Sequence, residues 1–428
     1  MLFVYNFLQI LGLIIAFPFL LIIASRKKYR GNIVMRLGFG LQKLFHDQPV
    51  SRGKIIWIHA LSVGEVTSAL PLVKGLREEM PDAVLVFSST TSTGKTVAEN
   101  KIRSFVNYIL PGPVDLIFSV NRFIRTIRPD LFILVETDFW PNWLNRLRRS
   151  KIPMVLVNGR ISQKSFTTYT RFRFFFAPLF RSFSLLSMQT GQDAACMEHL
   201  GVPAEKITTL GNLKYDTAPE VEERTPTIQK SDLFIPVENE IWLCGSTHKG
   251  EEELLLAAFA KVKKEYEHLV LIIAPRDPDR SDAITDIAFS MGLDCFRRTD
   301  RDSPGSSVLI LDTIGELTQC YGLAKIAFIG GSLVPCGGHN PLEAAAFGVP
   351  VLFGPHMEDF QEIATDFLHY KAGFEVHSTD EIAGTVKKIL QLESLHSEMS
   401  QSAKQLIQDK SGVVAKHVNE LKRLLNRG

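Results

Sequence analysis

Cysteine is scarce in this chain, and what there is stands apart. The five cysteines (Cys196, Cys244, Cys295, Cys320, Cys336) form no C-x-x-C pair. That spacing argues against a disulfide framework and a zinc site, and it suits a reducing compartment. Charge of one sign is also missing. Basic residues number 48 and acidic residues 46, a formal charge of +2, so no global basic field marks a nucleic-acid binder. Glycine (29) and proline (21) are too few among 428 residues for a collagen-like or low-complexity chain. With 45% hydrophobic and 22% charged residues, disorder is excluded and large cores are within reach. The length fits two or three domains.

One long hydrophobic run breaks this average. Residues 2–24 read LFVYNFLQILGLIIAFPFLLIIA and carry no charge. Sixteen of residues 2–23 are Leu, Ile, Val or Phe. At roughly −0.3 to −0.6 kcal/mol each on an insertion scale, they favour the bilayer. Asn6, Gln9 and Pro18 oppose this. A cleaved signal peptide would have a basic n-region and a small-residue cleavage site. Here both are missing and Arg26-Lys27-Lys28 follows, so residues 1–25 are expected to be an uncleaved anchor, single-pass or monotopic. Residues 26–54 hold eight basic residues and one acidic residue, a local +7, against 40 basic and 45 acidic elsewhere. Positive charge after the anchor places the body in the cytoplasm; it also suits anionic lipid headgroups, a merely solubilising linker being the alternative.

Beyond the anchor, short apolar runs alternate with longer amphipathic stretches. Strands are expected at 54–60, 83–89, 106–111, 131–136, 153–158 and 184–189. A second series falls at 241–246, 269–274, 308–312, 326–329 and 350–353. Runs such as VLVF, LFILV and LVLII are apolar without alternation, as parallel strands covered on both faces require. The pattern predicts an α/β protein of two Rossmann-like doubly wound domains, 26–215 and 241–428, facing a cleft. Residues 216–240, rich in Pro, Glu and Thr, read as the linker. The last helix is a candidate for crossing back to the first domain. Ligands of such sheets bind beyond the carboxyl ends of the strands.

The candidate chemistry sits at those ends. Strand 54–60 runs into Leu61-Ser62-Val63-Gly64-Glu65. Gly64 allows close approach to the backbone, and Glu65 falls at a helix N-terminus, where negative charge is stabilised. A merely dipole-complementing acid explains the position equally well. Strand 131–136 ends in Val135-Glu136-Thr137-Asp138-Phe139-Trp140-Pro141-Asn142, two carboxylates beside a tryptophan, suited to a sugar or to developing charge. Asn212 and Lys214 sit just before the linker.

The strongest local signal is Gly330-Gly331-Ser332, then Gly337-Gly338-His339-Asn340-Pro341-Leu342-Glu343. Glycines permit close approach, Pro341 suits a first helical turn, and free N–H groups there attract phosphate; a structural glycine turn is the alternative. Glu343 is placed to accept hydrogen bonds from ribose hydroxyls. Further donor-loop candidates are Ser246 through Glu251, which opens another helix, Pro275-Arg276, and Ile314-Gly315-Glu316.

Other patterns fail. Ser92-Thr93-Gly94-Lys95-Thr96 approaches a phosphate loop, but its first glycine would fall at Ser89. Asp300-Arg301-Asp302 lies in a polar loop. The 11 histidines show no ligand spacing. Residues 164–183 interleave aromatics with Arg171, Arg173 and Arg181; an interfacial lipid-phosphate surface, a nucleic-acid surface and a core helix with basic ends all fit.

Taken together, SVGE at 62–65, ETDFWPN at 136–142, GNLKYD at 211–216 and GGSLVPCGGHNPLEAAAFGVPVLFGPH at 330–356 resemble the 3-deoxy-D-manno-octulosonic acid (Kdo) transferases of lipopolysaccharide assembly. The resemblance runs from the anchor to the C-terminal helix. It implies a glycosyltransferase-B fold, a CMP-Kdo donor, a lipid A precursor as acceptor, inversion at the anomeric carbon, and neither catalytic metal nor cofactor. It assigns Glu65 as general base and Glu136 and Lys214 to transition-state stabilisation. It places Pro275, Arg276, Ile314, Gly315, Glu316, Asn340, Pro341, Leu342 and Glu343 around CMP. One departure is Asp277, where relatives often carry His after Pro-Arg. The rival readings are a nucleotide-sugar epimerase, another lipid-linked sugar transferase and a tethered nucleotide-sugar sensor.

Overall fold

A computed structural model describes residues 2–25, 33–46, 53–136, 139–218, 228–300 and 306–426, without the side chains of 16–25 and 46. The chain forms two compact units. One comprises Met1–Asp216 with Gly412–Gly428, the other Thr217–Ser411.

The first unit holds strands β1 (Ile55–Ala60), β2 (Val84–Ser89), β3 (Tyr108–Pro111), β4 (Leu131–Val135), β5 (Met154–Gly159), β6 (Leu185–Met188) and β7 (Ile207–Thr209). They form one parallel sheet in the order β3-β2-β1-β4-β5-β6-β7. Alternate side chains leave on opposite faces of a strand. Ile56 and Ile58 of β1 and Ile133 and Val135 of β4 enter one core. Trp57, Phe132 and Leu134 enter the other. Helices cover both faces, which explains why these runs are apolar without alternation.

The second unit holds β8 (Glu240–Thr247), β9 (Leu269–Pro275), β10 (Cys295–Arg297), β11 (Val308–Ile310), β12 (Ile326–Ile329), β13 (Val351–Phe353) and β14 (Gly373–Glu375). Its sheet is also parallel, in the order β10-β11-β9-β8-β12-β13-β14. Each sheet reverses its winding once, between β1 and β4 in the first and between β8 and β12 in the second. At such a reversal, flanking loops diverge and leave a crevice for a ligand.

The second unit ends at Ser411, as the candidate crossing back of the last helix allows. The final helix, Val413–Asn426, returns to the first unit and buries Val413, Val418, Leu421 and Leu425 beside Leu72, Val73 and Leu76 of helix Val63–Glu79. Asp216 fixes this return. Its carboxylate accepts from Gly412 N at 2.8 Å and Val414 N at 2.6 Å. His417 is buried in the same seam, with Nε2 2.8 Å from Ser187 Oγ and Nδ1 2.8 Å from Val413 O.

Leu2–Ser25 is one helix of 24 residues. Among the described residues no helix is long and apolar enough to cross a membrane. The expected anchor is therefore not shown, and the side chains of its second half lie outside the description. The basic stretch 26–32 and much of the linker, 219–227, lie outside it too.

Candidate active site

In the first unit, the site residues follow the two strands that flank the winding reversal. Glu65 follows β1 and Glu136 follows β4. Helix Val63–Glu79 starts at Ser62, and Glu65 reaches back as the acidic half of a capping box. Its Oε2 accepts from Leu61 N, and from Ser62 N at 3.2 Å. Those two N–H groups fix the direction of the carboxylate. Beside it, a Cβ built on Gly64 would meet no atom within 4 Å.

Glu136 adopts φ +62°, a left-handed conformation uncommon for a residue with a side chain. Its N–H still pairs with Val157 O at 2.9 Å. The turn swings the carboxylate off the sheet toward Asn158, whose Nδ2 donates to Oε1 at 3.4 Å. Burial pushes this carboxyl up from its ordinary value. Lys214, Arg160 and hydrogen bonds from Asn158 and Ser68 oppose that rise. Ser68 is three residues after Glu65, hence on the same helix face, and is buried. The structure therefore brings Ser68 and Lys214 to Glu136 and places Glu65 at the end of the neighbouring strand. Thr137 and Asp138 lie outside the described residues.

Asn158 joins two parts of this site. It too has positive φ (+56°). Its Oδ1 accepts from Leu213 N at 2.9 Å, so it holds Glu136 and the segment bearing Lys214 together. Gln189 Nε2 donates to Asn158 O at 3.0 Å, and buried Asn212 Nδ2 donates to Gln189 Oε1 at 3.3 Å. Asn212 Oδ1 accepts from Lys214 N at 3.0 Å.

In the second unit, the Gly-rich loop after β12 departs from expectation. The N–H groups of Gly331, Ser332 and Leu333 do not await a phosphate. They donate to the fully buried carboxylate of Glu251 at 2.7, 3.0 and 2.9 Å, and His248 N adds a fourth bond at 2.8 Å. Glu251 is thus an internal support, and Gly331 and Ser332 are packed by it. Glycine at 330 has a separate reason, because a Cβ there would lie 2.2 Å from Ser246 O. Gly338 N is bonded to Gly331 O at 2.9 Å, and Gly337 O accepts from Asp359 N at 3.0 Å. These two glycines shape the turn.

Other donor-side residues remain presented. Arg276 is exposed at the end of β9, and Pro275 is buried behind it. Asp277 Oδ1 accepts from Asp279 N at 3.3 Å, so this departure from the family pattern caps a short turn. Ile314 is 89% exposed, and Gly315 next to it has φ +101° with open space where a Cβ would stand. Glu316 pairs with Arg298 at 3.1 Å. Glu343 Oε2 accepts from Thr318 Oγ1 at 2.8 Å. Leu342 is fully buried and offers no side chain to a ligand. The helix it begins, Leu342–Ala346, is one short turn preceded by Pro341. Asn340 Oδ1 accepts from Leu342 N at 3.1 Å.

Two histidines join this edge. His248 Nε2 lies 2.8 Å from His339 Nε2, with the rings stacked at 5.1 Å. Burial, His248 and Arg276 push His339 down to about 4. Two imidazoles and a guanidinium therefore converge beyond β8, β9 and β12. Among the described residues, no group of three or more His, Cys, Asp or Glu is arranged to hold a metal ion.

Comparison with known proteins fits this geometry. Residues 32–217 match the 3-deoxy-D-manno-octulosonic-acid transferase (kdotransferase) family. The chain is 33% identical over 419 residues to the 3-deoxy-D-manno-octulosonic acid transferase of Haemophilus influenzae, covering 97% of this chain and 96% of that one. The chain belongs to the Kdo transferase family. The Aquifex aeolicus member is 30% identical over 361 residues, covering 84% and 92%. This Kdo transferase is a glycosyltransferase, and its two parallel-sheet domains are of the glycosyltransferase-B kind. A UDP-GlcNAc 2-epimerase from Neisseria meningitidis superposes with a TM-score of 0.59 at 12% identity, covering 88% of this chain and 100% of that one. A glycosyltransferase from Rickettsia africae gives 0.57, also at 12%, with 88% and 100% covered. These two likenesses concern the fold alone.

Ser68, Asn158, Arg160 and the His248–His339 pair had escaped sequence reasoning. An Asn at the end of an apolar strand, a residue type that visits the left-handed region, was the one signal for Asn158.

Proposed function

We propose that this Kdo transferase moves Kdo from CMP-Kdo to a lipid A precursor at the cytoplasmic face of the inner membrane, with inversion and without a metal. What carries the proposal is the placement of Glu65 and Glu136 after the two strands that flank the reversal in the first unit, with Lys214 beside Glu136.

Glu65, held by two backbone N–H groups, takes the proton of the acceptor hydroxyl. The hydroxyl oxygen then bonds to the anomeric carbon of Kdo, and the bond from that carbon to the CMP phosphate oxygen breaks. Positioned base catalysis of this kind contributes about 10²- to 10⁴-fold. Negative charge passes to the departing phosphate, and Lys214 and Arg276 are the cations suited to it. Arg276, Ile314-Gly315-Glu316 and Asn340 through Glu343 grip CMP. Ile314 offers exposed apolar surface for the base, and Arg276 supplies positive charge at its edge of the sheet.

The basic residues after the N-terminal helix attach the protein to anionic lipid. In residues 164–183, helix Arg173–Phe180 buries Leu179 and Phe180, while Phe172 and Phe174 stay exposed beside Arg171 and Arg173. That arrangement supports an interfacial role for the outer face and a core role for the inner one. The test is transfer of labelled Kdo from CMP-Kdo, generated in situ, to a lipid A precursor by membranes containing the protein. Product mass counts the sugars added. No product from folded protein supplied with both substrates would contradict the proposal.

A further inference from the structure

The first turns of the N-terminal helix are tied to the body by polar side chains. Tyr5 Oη donates to Asp115 Oδ2 at 2.9 Å. Asn6 and Asn142 exchange amide hydrogen bonds at 3.1 and 2.8 Å. Gln9 Nε2 donates to Asp115 O at 3.1 Å. Positions 5, 6 and 9 share one helix face. Their partners are buried, Asp115 and Asn142 each being 4% exposed. Asp115 also accepts from Asn142 N at 3.1 Å and Trp143 N at 2.9 Å, capping helix Pro141–Arg149. That helix begins just after the loop that follows Glu136.

The opposite face is bare. Phe3, Phe7, Ile10, Leu11 and Ile14 are exposed, Phe3 by 82%. The helix is apolar around most of its circumference, and its polar side chains Tyr5, Asn6 and Gln9 turn toward its own protein. A spanning helix is incompatible with these bonds. Twenty residues of helix rise about 30 Å, the thickness of the hydrocarbon. Crossing would put Tyr5 and residue 25 on opposite faces of the bilayer. The body that contains Asp115 and Asn142 follows residue 25, so Tyr5 could not reach it.

We propose that the N-terminal helix lies along the cytoplasmic surface of the membrane with its apolar face in lipid, and that Tyr5, Asn6 and Gln9 latch it to Asp115 and Asn142. This rests on the membrane attachment proposed above. Lipid is the occupant because the apolar face runs straight into a segment of charge +7, which complements anionic headgroups.

The test uses the full chain with an epitope ahead of residue 1. The expected result is protein in the membrane fraction, with the epitope reached by antibody in inverted vesicles and not in intact spheroplasts. An epitope reached from outside spheroplasts overturns the proposal, as does a protein found in the soluble fraction or paired through this face away from membrane. The latch is read separately. Substituting Tyr5→Phe, Asn6→Leu and Gln9→Leu together keeps the helix apolar. Membrane attachment is expected to persist, while amide exchange at Asn142 and Trp143 quickens roughly tenfold. Unchanged exchange overturns the latch. If the triple variant does not fold, Tyr5→Phe alone is read in the same way. Failure of the transferase reading appears as absent Kdo transfer and alters neither readout.

Discussion

Asn158 donates to Glu136 at 3.4 Å, and both residues sit in the left-handed region of backbone space. Since Asn158 also holds Leu213 N at 2.9 Å, one amide sets the position of Glu136 and of the segment that presents Lys214. We expect Asn158→Ala to lower kcat roughly 10- to 100-fold, as small misplacements in active sites do, with the donor KM unchanged. The acid limb of the pH–rate profile should move to higher pH, because a hydrogen bond that favours the ionised Glu136 is lost. A profile that keeps its shape while only stability falls would leave Asn158 a purely structural residue.

Gly64 has empty space where its Cβ would stand. Gly64→Ala should therefore leave the fold intact and change stability by less than about 1 kcal/mol, since Gly64 lies in the first helical turn and not in the interior. Transfer should nevertheless fall, through KM for the lipid acceptor, if substrate passes over this backbone. Thermal melting and acceptor titration check the two halves. Wild-type acceptor kinetics would mean that no substrate approaches there.

Glu251 and Glu343 should separate fold from binding. Glu251→Ala strips four N–H groups of their acceptor, and each buried donor left unsatisfied costs about 1–3 kcal/mol. Loss of folded second unit in urea titration is expected. Glu343→Ala, by contrast, should melt like wild type and chiefly raise KM for CMP-Kdo. An unchanged KM with a large fall in kcat would contradict its donor role.

Burial pushes His417 from an ordinary 6.5 down to about 4. As pH falls, the unfolded chain takes up this proton before the folded chain does. The contribution is complete above about pH 6.5 and disappears as pH drops toward 4, a loss of about 3 kcal/mol for one group. Urea unfolding from pH 7 to 4.5 should show a slope that His417→Gln flattens. Parallel slopes would count against it.

The strands that flank each winding reversal were legible because they are unbroken apolar runs. IIWIHA, LFILV and IAFI feed cores on both faces. Edge strands β7, β10 and β14 were not, since three residues of mixed polarity such as ITT or GFE carry no period. Glu65 and Glu136 were visible as acids just past strands. That Glu251 fills the loop expected to bind phosphate was not, because its partners are about 80 residues away and periodicity is blind to such pairs. The return of the C-terminal helix was a candidate from the sequence, but what fixes it, Asp216 meeting Gly412 and Val414, is another long-range contact.

The most direct test compares wild type with Glu65→Gln in the labelled Kdo transfer assay, alongside binding of CMP-Kdo. Glutamine keeps an oxygen for Leu61 N and Ser62 N but cannot take a proton. The account predicts product from wild type, at least about a hundredfold less from the variant, and equal donor binding. Wild-type turnover by Glu65→Gln, or loss of donor binding with it, would contradict the assignment of Glu65 as the base.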